Sequence, residues 1–300
     1  PVAHNFALAC PGALGILASG GQVVLQQHPD PLEILENIEQ YKVTHLALVP
    51  VLADLVSSAA SEIEDFDLSS LRLVQVGGAR FTQDSASNLI QSLGCNLQQI
   101  FGMAEGLLCC TSLDDSEEVK TATQGKPISP ADEILILNPE GNPVERGETG
   151  ELYTRGPYTL RGYFNAEHHN KVVFTDDGFY RTGDLVKVTS DGDLIVMGRV
   201  KELINRAGEK FSPVDVESVL AQHEKVIDNV LVSTPDKELG ERTVSFLHVG
   251  NWDVKRAEVI SFLQEKGVPN YKFPDEVTVV DTFPLTSVGK IDKKKLLESY

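Results

Sequence analysis

Three hundred residues, 41% of them apolar, are enough for two domains with a buried core. With 44 acidic against 26 basic side chains the formal net charge is −18. That balance argues against non-specific binding to nucleic acid or to an anionic membrane surface. No apolar run approaches the about 20 residues of a membrane span, and no signal peptide opens the chain. Cys10, Cys95, Cys109 and Cys110 have no metal-ligand spacing, and they read as reduced residues of a cytosolic protein. Pro1-Val2-Ala3 carries no initiator Met, so the chain reads as a fragment.

Residues 1–115 alternate helix and strand patterns. Asp30-Pro31-Leu32-Glu33 is a helix start, and Ile34, Ile38 and Tyr41 then share one face. Val43–Val49 is an apolar run ending at Pro50, read as a buried strand. Leu71–Val76 is a strand running into Gly77-Gly78, and Thr82 caps a helix over Asp84–Leu93. Leu97–Phe101 is a further short strand before Gly102. The alternation predicts an α/β sheet of parallel type with helices packed on it. Ligands of such sheets sit at the carboxyl ends of strands, where Gly77–Arg80 and Gly102–Gly106 fall.

Residues 116–200 change style. Short strands at Ile134–Leu137, Glu151–Arg155, Leu185–Val188 and Leu194–Met197, parted by Gly, Pro and Asp turns, predict a small β barrel or sandwich. Residues 201–300 predict a compact α+β domain. Ser212-Pro213-Val214-Asp215 starts a helix with Val216, Val219 and Leu220 on one face. Asn229–Ser233, Thr243–Val249 and Glu276–Asp281 read as strands, Asp253 as the cap of a helix carrying Val259, Phe262 and Leu263, and the tail as basic and then helical.

Four stretches carry groups suited to chemistry, each with a plainer reading beside it. Glu105, on a glycine-flanked loop, can hold Mg²⁺ against substrate phosphates or simply be a solvated loop residue. Asp184, after Thr182-Gly183, can accept two hydrogen bonds from a ribose diol or merely close a turn. Arg199 and Lys201 can meet phosphate or water. Lys290, after Gly289, can deliver a point charge to a phosphate or carboxylate, or be a surface lysine ahead of Lys293–Lys295.

Taken in order, five blocks of this chain resemble the adenylate-forming superfamily of acyl-CoA synthetases, luciferases and peptide-synthetase adenylation domains. They are His4-Asn5-Phe6-Ala7, Phe101–Glu105, Tyr180–Asp184, Gly198–Lys210 and Pro284–Lys290. A denser resemblance is to the stand-alone aryl acid ligases of siderophore synthesis. It runs through Ala3-His4-Asn5, Val76–Arg80, Gln98-Gln99, Gly102–Leu107, Leu113-Asp114-Asp115, Arg155–Thr159 and Asn205–Lys210.

The resemblance implies the C-terminal part of a large adenylation domain, an α/β layer over 1–115 plus a β barrel over 116–200, followed by a mobile α+β domain over 201–300. It implies two steps: an aryl carboxylate attacks the α-phosphate of ATP, and the phosphopantetheine thiol of an aryl carrier protein then attacks the aryl-AMP. By residue, it implies Glu105 on Mg²⁺; Gly78, Ala79, Arg80, Phe101 and Gly102 around the nucleotide; Asp184 on the ribose, with Arg199 close by; and Lys290 between carboxylate and α-phosphate. Lys201 falls at the hinge between the two domains. His4, grouped with Lys290 and Glu105 as a catalytic candidate, lines the aryl site with Asn5 and Phe6. Cys10 and Leu108 stand where relatives that use salicylate tend to carry Cys and Leu, so salicylate is expected ahead of 2,3-dihydroxybenzoate.

Two departures qualify the resemblance. The phosphate-binding loop rich in Ser, Thr and Gly lies upstream of the His4 block in relatives, so the N-terminal part of the large domain is expected to be missing. Ala207 replaces the first of two glycines, with a small effect expected. The competing expectations are an acyl-CoA ligase of the same superfamily and a non-catalytic fragment that docks a carrier protein.

Overall fold

The computed structural model describes residues 5–10, 12–63, 65–286 and 290–298. Its contacts divide the chain into two units. One comprises Pro1–Thr182, Lys187–Val196 and Ser287–Lys290; the other comprises Gly183–Val186, Met197–Thr286 and Ile291–Tyr300. None of the described helices is long and apolar enough to cross a membrane.

The first unit opens with two short helices, α1 (Asn5–Ala9) and α2 (Gly12–Ala18). Next comes α3 (Pro31–Tyr41), started as the sequence predicts: the Asp30 carboxylate accepts from the Leu32 and Glu33 amides. Ile34, Leu35 and Ile38 are buried, but Tyr41 is exposed, because the helix ends there and Lys42 turns left-handed. The chain continues through β1 (His45–Leu48), α4 (Pro50–Glu62), β2 (Leu73–Gly77), α5 (Gln83–Leu93), β3 (Asn96–Met103) and β4 (Leu107–Cys110). Then follow α6 (Glu117–Ala122) and β5 (Lys126–Pro127). Pro50, read as the stop of a strand, is also the first residue of α4, where its fixed φ and missing N–H cost nothing. Thr82 caps α5, accepting from the Ser85 amide.

Strands β1 to β5 form one sheet in chain order. β1, β2 and β3 are parallel, and β4 and β5 extend the sheet antiparallel. Ile34, Leu35, Val56, Leu89 and Leu93 of α3, α4 and α5 pack on Leu48, Val74, Val76 and Leu97 of the sheet. The parallel sheet with packed helices is therefore the one that the alternation predicts.

A second sheet runs in the order β6 (Glu133–Leu137), β7 (Gly150–Arg155), β8 (Tyr180–Val188), β9 (Leu194–Arg199), with α7 (Glu167–Val173) between β7 and β8. Among the described residues it stays open rather than closing into a barrel; its four strands are fewer than the closed barrels use.

A buried amide relay crosses the first unit. Gln99 of β3 is 2% exposed. Its Nε2 donates to the Thr121 and Lys120 carbonyls at 2.8 and 3.1 Å, at the end of α6. Its Oε1 accepts from Gln124 Nε2 at 2.9 Å, and Gln124 Oε1 accepts from the Val196 amide of β9 at 2.9 Å.

The second unit holds a 3₁₀ turn (Val200–Glu202), β10 (Ile204–Arg206), β11 (Glu209–Phe211), α8 (Val214–Leu220), β12 (Asp228–Asp236), β13 (Gly240–His248), α9 (Arg256–Glu265), β14 (Glu276–Val279) and α10 (Lys293–Glu298). The sheet order is β11-β10-β13-β12, with β14 parallel to β13. Side chains alternate across it. Leu231 and Leu247 join Val216, Leu220, Val259 and Leu263 of α8 and α9, whereas Val230, Val232, Val244 and Phe246 meet Leu296 of α10. The N-cap of α9 is Lys255, without a side-chain bond; Asp253, expected as the cap, instead lies 3.6 Å from the Lys255 ammonium. Arg206 is a structural anchor: its guanidinium binds both carboxylate oxygens of Asp275 and the Tyr271 carbonyl. Trp252 follows β13, is 61% exposed, and has the Lys225 ammonium 5.6 Å from its ring centre.

β10 and β11 are joined by Ala207-Gly208, with Arg206 opposite Glu209. Both turn residues have positive φ, +53° and +92°, as a two-residue type I′ hairpin requires. A left-handed alanine costs about 1–2 kcal/mol, of which glycine's greater chain entropy takes back about 0.5–1. Ala207→Gly is therefore expected to stabilise the protein by about 0.5–1 kcal/mol, seen as a higher urea midpoint by far-UV circular dichroism.

Candidate functional site

The parallel pairing of β2 with β3 sets Gly77 opposite Ile100, so the loops after both strands leave the same edge of the sheet. Gly78, Ala79 and Arg80 form the first loop; Ala79 and Arg80 are exposed. Phe101 and Gly102 continue β3 beyond that edge. The buried ring of Phe6 lies against Gly77, where an added β-carbon would come within 3.3 Å of it. Leu108 of β4 pairs with Gly102, and its Cδ1 fills the space beside that residue. Cys10 follows Phe6 by one helical turn, its amide bonded to the Phe6 carbonyl at 3.1 Å, and partial burial raises its thiol pKa. The structure thus brings Gly78, Ala79, Arg80, Phe101, Gly102, Leu108 and Phe6 to one end of one sheet. His4 and the side chain of Asn5 lie outside the described residues.

Glu105 sits on the turn Ala104-Glu105-Gly106 that joins β3 to β4, with Met103 opposite Leu107. The turn is held from the 156–163 segment. The Leu160 amide donates to the Glu105 carbonyl at 2.9 Å, and Thr159 Oγ1 donates to the Gly106 carbonyl at 3.2 Å. Gly106 has φ +125°, and a β-carbon there would fall 2.3 Å from Thr159 Cα and 2.8 Å from the Tyr158 carbonyl oxygen. The Tyr158 hydroxyl in turn donates to Asp132. The Glu105 side chain is half-buried and accepts at Oε1 from the Tyr163 hydroxyl at 2.8 Å, which lies 3.0 Å from that of Tyr180. Burial, then the bonds to Tyr180 and Glu105, push the Tyr163 phenol far up, so it stays a neutral donor.

Among the described residues no group of three or more His, Cys, Asp or Glu side chains could hold a metal by itself. Mg²⁺ commonly takes one or two carboxylates and fills its octahedron with substrate phosphates and water. A single clamped, half-buried carboxylate such as Glu105 fits a metal that arrives with a polyphosphate. It does not fit a resident structural ion.

Asp184, on β8, is 4% exposed and accepts at Oδ1 from Arg199 Nε at 2.8 Å; Arg199 ends β9 and is exposed. Asp184 therefore lies within a strand and against a guanidinium, not at the close of a turn. Lys201 is exposed at the centre of the 3₁₀ turn that follows β9. Lys290 is exposed beside the bridge between Leu285 and Ile291, and it groups with the first unit. Residues 287–289 of its turn lie outside the described residues.

Sequence reasoning missed Tyr163, which lies 58 residues from Glu105. No periodicity joins positions that distant. The one local sign is the Arg161-Gly162-Tyr163 run, which gives no partner.

Comparison with known proteins gives consistent matches. A family model described as AMP-binding enzyme matches residues 1–164, and one described as AMP-binding enzyme C-terminal domain matches residues 215–290. The 2,3-dihydroxybenzoate-AMP ligase of Bacillus subtilis (strain 168) is 51% identical over 299 residues, 100% of this chain and 55% of that protein. The vibriobactin-specific 2,3-dihydroxybenzoate-AMP ligase of Vibrio cholerae serotype O1 is 48% identical over 297 residues, 99% of this chain and 54% of that protein. Among solved structures, the Mycobacterium smegmatis MbtA apo structure is similar at a TM-score of 0.64 and 43% identity, covering 100% of this chain and 56% of that one. The chain spans about half the length of the curated relatives it matches.

The fit of Gly106 gives a direct check on the clamp. Gly106→Ala adds a strained φ and an overlap with the Thr159 backbone, and is expected to cost about 3 kcal/mol. Gly141, with φ +82° and nothing within 4 Å, serves as the control. Gly141→Ala should cost only the backbone part, about 1 kcal/mol. Thermal melts of the two variants should differ accordingly.

Proposed function

The chain belongs to the AMP-binding enzyme family, and on that premise we propose that the full-length protein is an aryl acid–AMP ligase. A hydroxybenzoate carboxylate oxygen attacks the α-phosphorus of ATP, and pyrophosphate leaves. The phosphopantetheine thiol of an aryl carrier protein then attacks the acyl carbon, and AMP leaves. The proposed setting is siderophore assembly, in keeping with the resemblance to the stand-alone aryl acid ligases. The observation that carries the reading is the juxtaposition at one sheet edge of Gly78–Arg80, Phe101–Gly102 and the clamped carboxylate of Glu105. A strand-end edge of this kind is the usual ligand site of an open α/β sheet.

In this reading Gly78, Ala79, Arg80, Phe101 and Gly102 flank the adenine. Asp184 accepts from the ribose hydroxyls, and Arg199 orients it through Oδ1. Glu105 holds Mg²⁺ together with the nucleotide phosphates; the ion, when bound, offsets their negative charge. Lys290 supplies a fixed cation at the oxygens between carboxylate and α-phosphate, where two anions must approach. His4, Asn5, Phe6, Cys10 and Leu108 form the aryl pocket. Residues 1–115 and 116–200 belong to the large domain, 201–300 to the small one, and Lys201 is the pivot between the adenylation and transfer steps. Four free cysteines suit a reducing compartment, and we assign the protein to the cytoplasm.

Salicylate is the preferred acid of the proposal. A thiol at Cys10 is a weak partner for a 3-hydroxyl, and Leu108 fills space that this group would need. The B. subtilis and V. cholerae relatives carry 2,3-dihydroxybenzoate in their names, which makes that acid the direct competitor.

ATP–pyrophosphate exchange by the full-length protein across a panel of acids tests the reading. Exchange is expected with hydroxybenzoates and fastest with salicylate; no response to any of them would overturn the function. A faster rate with 2,3-dihydroxybenzoate would overturn only the preference. The pivot has its own test: Lys201→Pro is expected to slow transfer to the carrier at least tenfold more than exchange. Equal loss of both would remove Lys201 from that role.

A further inference from the structure

We propose that Tyr163 is a positioning residue: its hydroxyl fixes the direction of the Glu105 carboxylate and thereby sets how tightly the nucleotide-borne Mg²⁺ is held. The proposal rests on the reading of Glu105 as the metal-holding carboxylate.

The backbone at Glu105 and Gly106 is tied down by bonds from Leu160 and Thr159 to their two carbonyls. Those bonds leave the side chain's rotamers open, and a free glutamate loses much of its entropy when it is ordered. Among the described residues, the hydrogen bond that orders this side chain comes from Tyr163, at Oε1. A carboxylate held by one oxygen can offer the other to a cation without having to be arrested first. Ligating carboxylates are commonly held in this way, and loss of the supporting bond typically costs 10–100-fold in metal affinity.

Tyr163 is itself built as a fixed post. Its amide donates to Asn170 Oδ1 at 2.8 Å, and its carbonyl accepts from Asn170 Nδ2 at 2.9 Å, so α7 grips its backbone. Its ring packs against His169, Phe174 and Tyr180, with centroids 5.3, 6.2 and 6.4 Å away. The Tyr180 hydroxyl lies behind its own at 3.0 Å. A neutral donor in this place brings no charge to compete with a cation, as a lysine or arginine there would.

The test uses the full-length protein with a non-hydrolysable ATP analogue and Mn²⁺ as an electron paramagnetic resonance probe of the metal. Tyr163→Phe is expected to raise the Mn²⁺ Kd about tenfold. The KM for Mg²⁺ in pyrophosphate exchange should rise in step, while kcat at saturating Mg²⁺ stays near wild type, a split that a merely structural role would not produce. A Kd within twofold of wild type for Tyr163→Phe, with Glu105→Gln clearly weakened, would overturn the positioning role. An unchanged Kd in Glu105→Gln would instead overturn the metal reading of Glu105, and this proposal with it. Should Tyr163→Phe fail to fold, Tyr180→Phe takes its place. A several-fold rise in Kd is then expected, and an unchanged Kd counts against the proposal.

Discussion

One buried amide, that of Gln99, holds the first unit in register. The last carbonyls of a helix have no partner within it, and α6 ends against the sheet, where water does not reach. Gln99 answers two of those carbonyls and passes its own acceptor to Gln124, which in turn secures β9. Each buried polar group left without a partner would cost about 1–3 kcal/mol, so the relay holds only as a complete set. Its position on β3 matters, because the same strand carries Phe101 and Gly102 outward and turns at Glu105. Fixing β3 at its middle fixes where its end delivers the carboxylate.

The charge balance gives the site its character. A chain with net charge −18 repels polyphosphates at long range. In the proposed function that repulsion is met locally and by unlike means: glycine-rich backbone at strand ends, a single carboxylate suited to bring in a divalent cation, and separate exposed cations at Arg199, Lys201 and Lys290. Composition alone argues against non-specific binding to nucleic acid or to an anionic membrane surface, and it leaves room for one anion bound in a particular place.

What the sequence disclosed follows the range of the forces involved. Caps and turns act over three or four residues. Asp30 and Thr82 were readable as helix starts, and the glycines of the β3–β4 turn as a strand-end loop. Burial periodicity carried Ile34, Ile38, Val216 and Leu220 to the core, but it misplaced Tyr41, because a helix end, not a helix face, decides its exposure. Asp253 had the chemistry of a cap two residues too early. The open sheet in place of a barrel depends on strand count and closure, which short alternating runs do not reveal. Contacts such as Tyr163 with Glu105, or Arg206 with Asp275, join residues tens of positions apart and emerge only from the fold. The residues of the proposed nucleotide face lie in local motifs, whereas the side chains that hold Glu105 in place come from distant positions and carry no such sign.

Trp252 has a spectroscopic consequence. It is the single tryptophan of the chain and is largely solvated in the native state, with an ammonium above its ring. An indole so exposed is expected to emit with the red-shifted character of hydrated indole already, so global unfolding should change the colour of the light little. The signal belongs to one loop after β13, and an intensity change there reports events around Lys225, such as loss of the ammonium's contact with the ring or coverage of the loop.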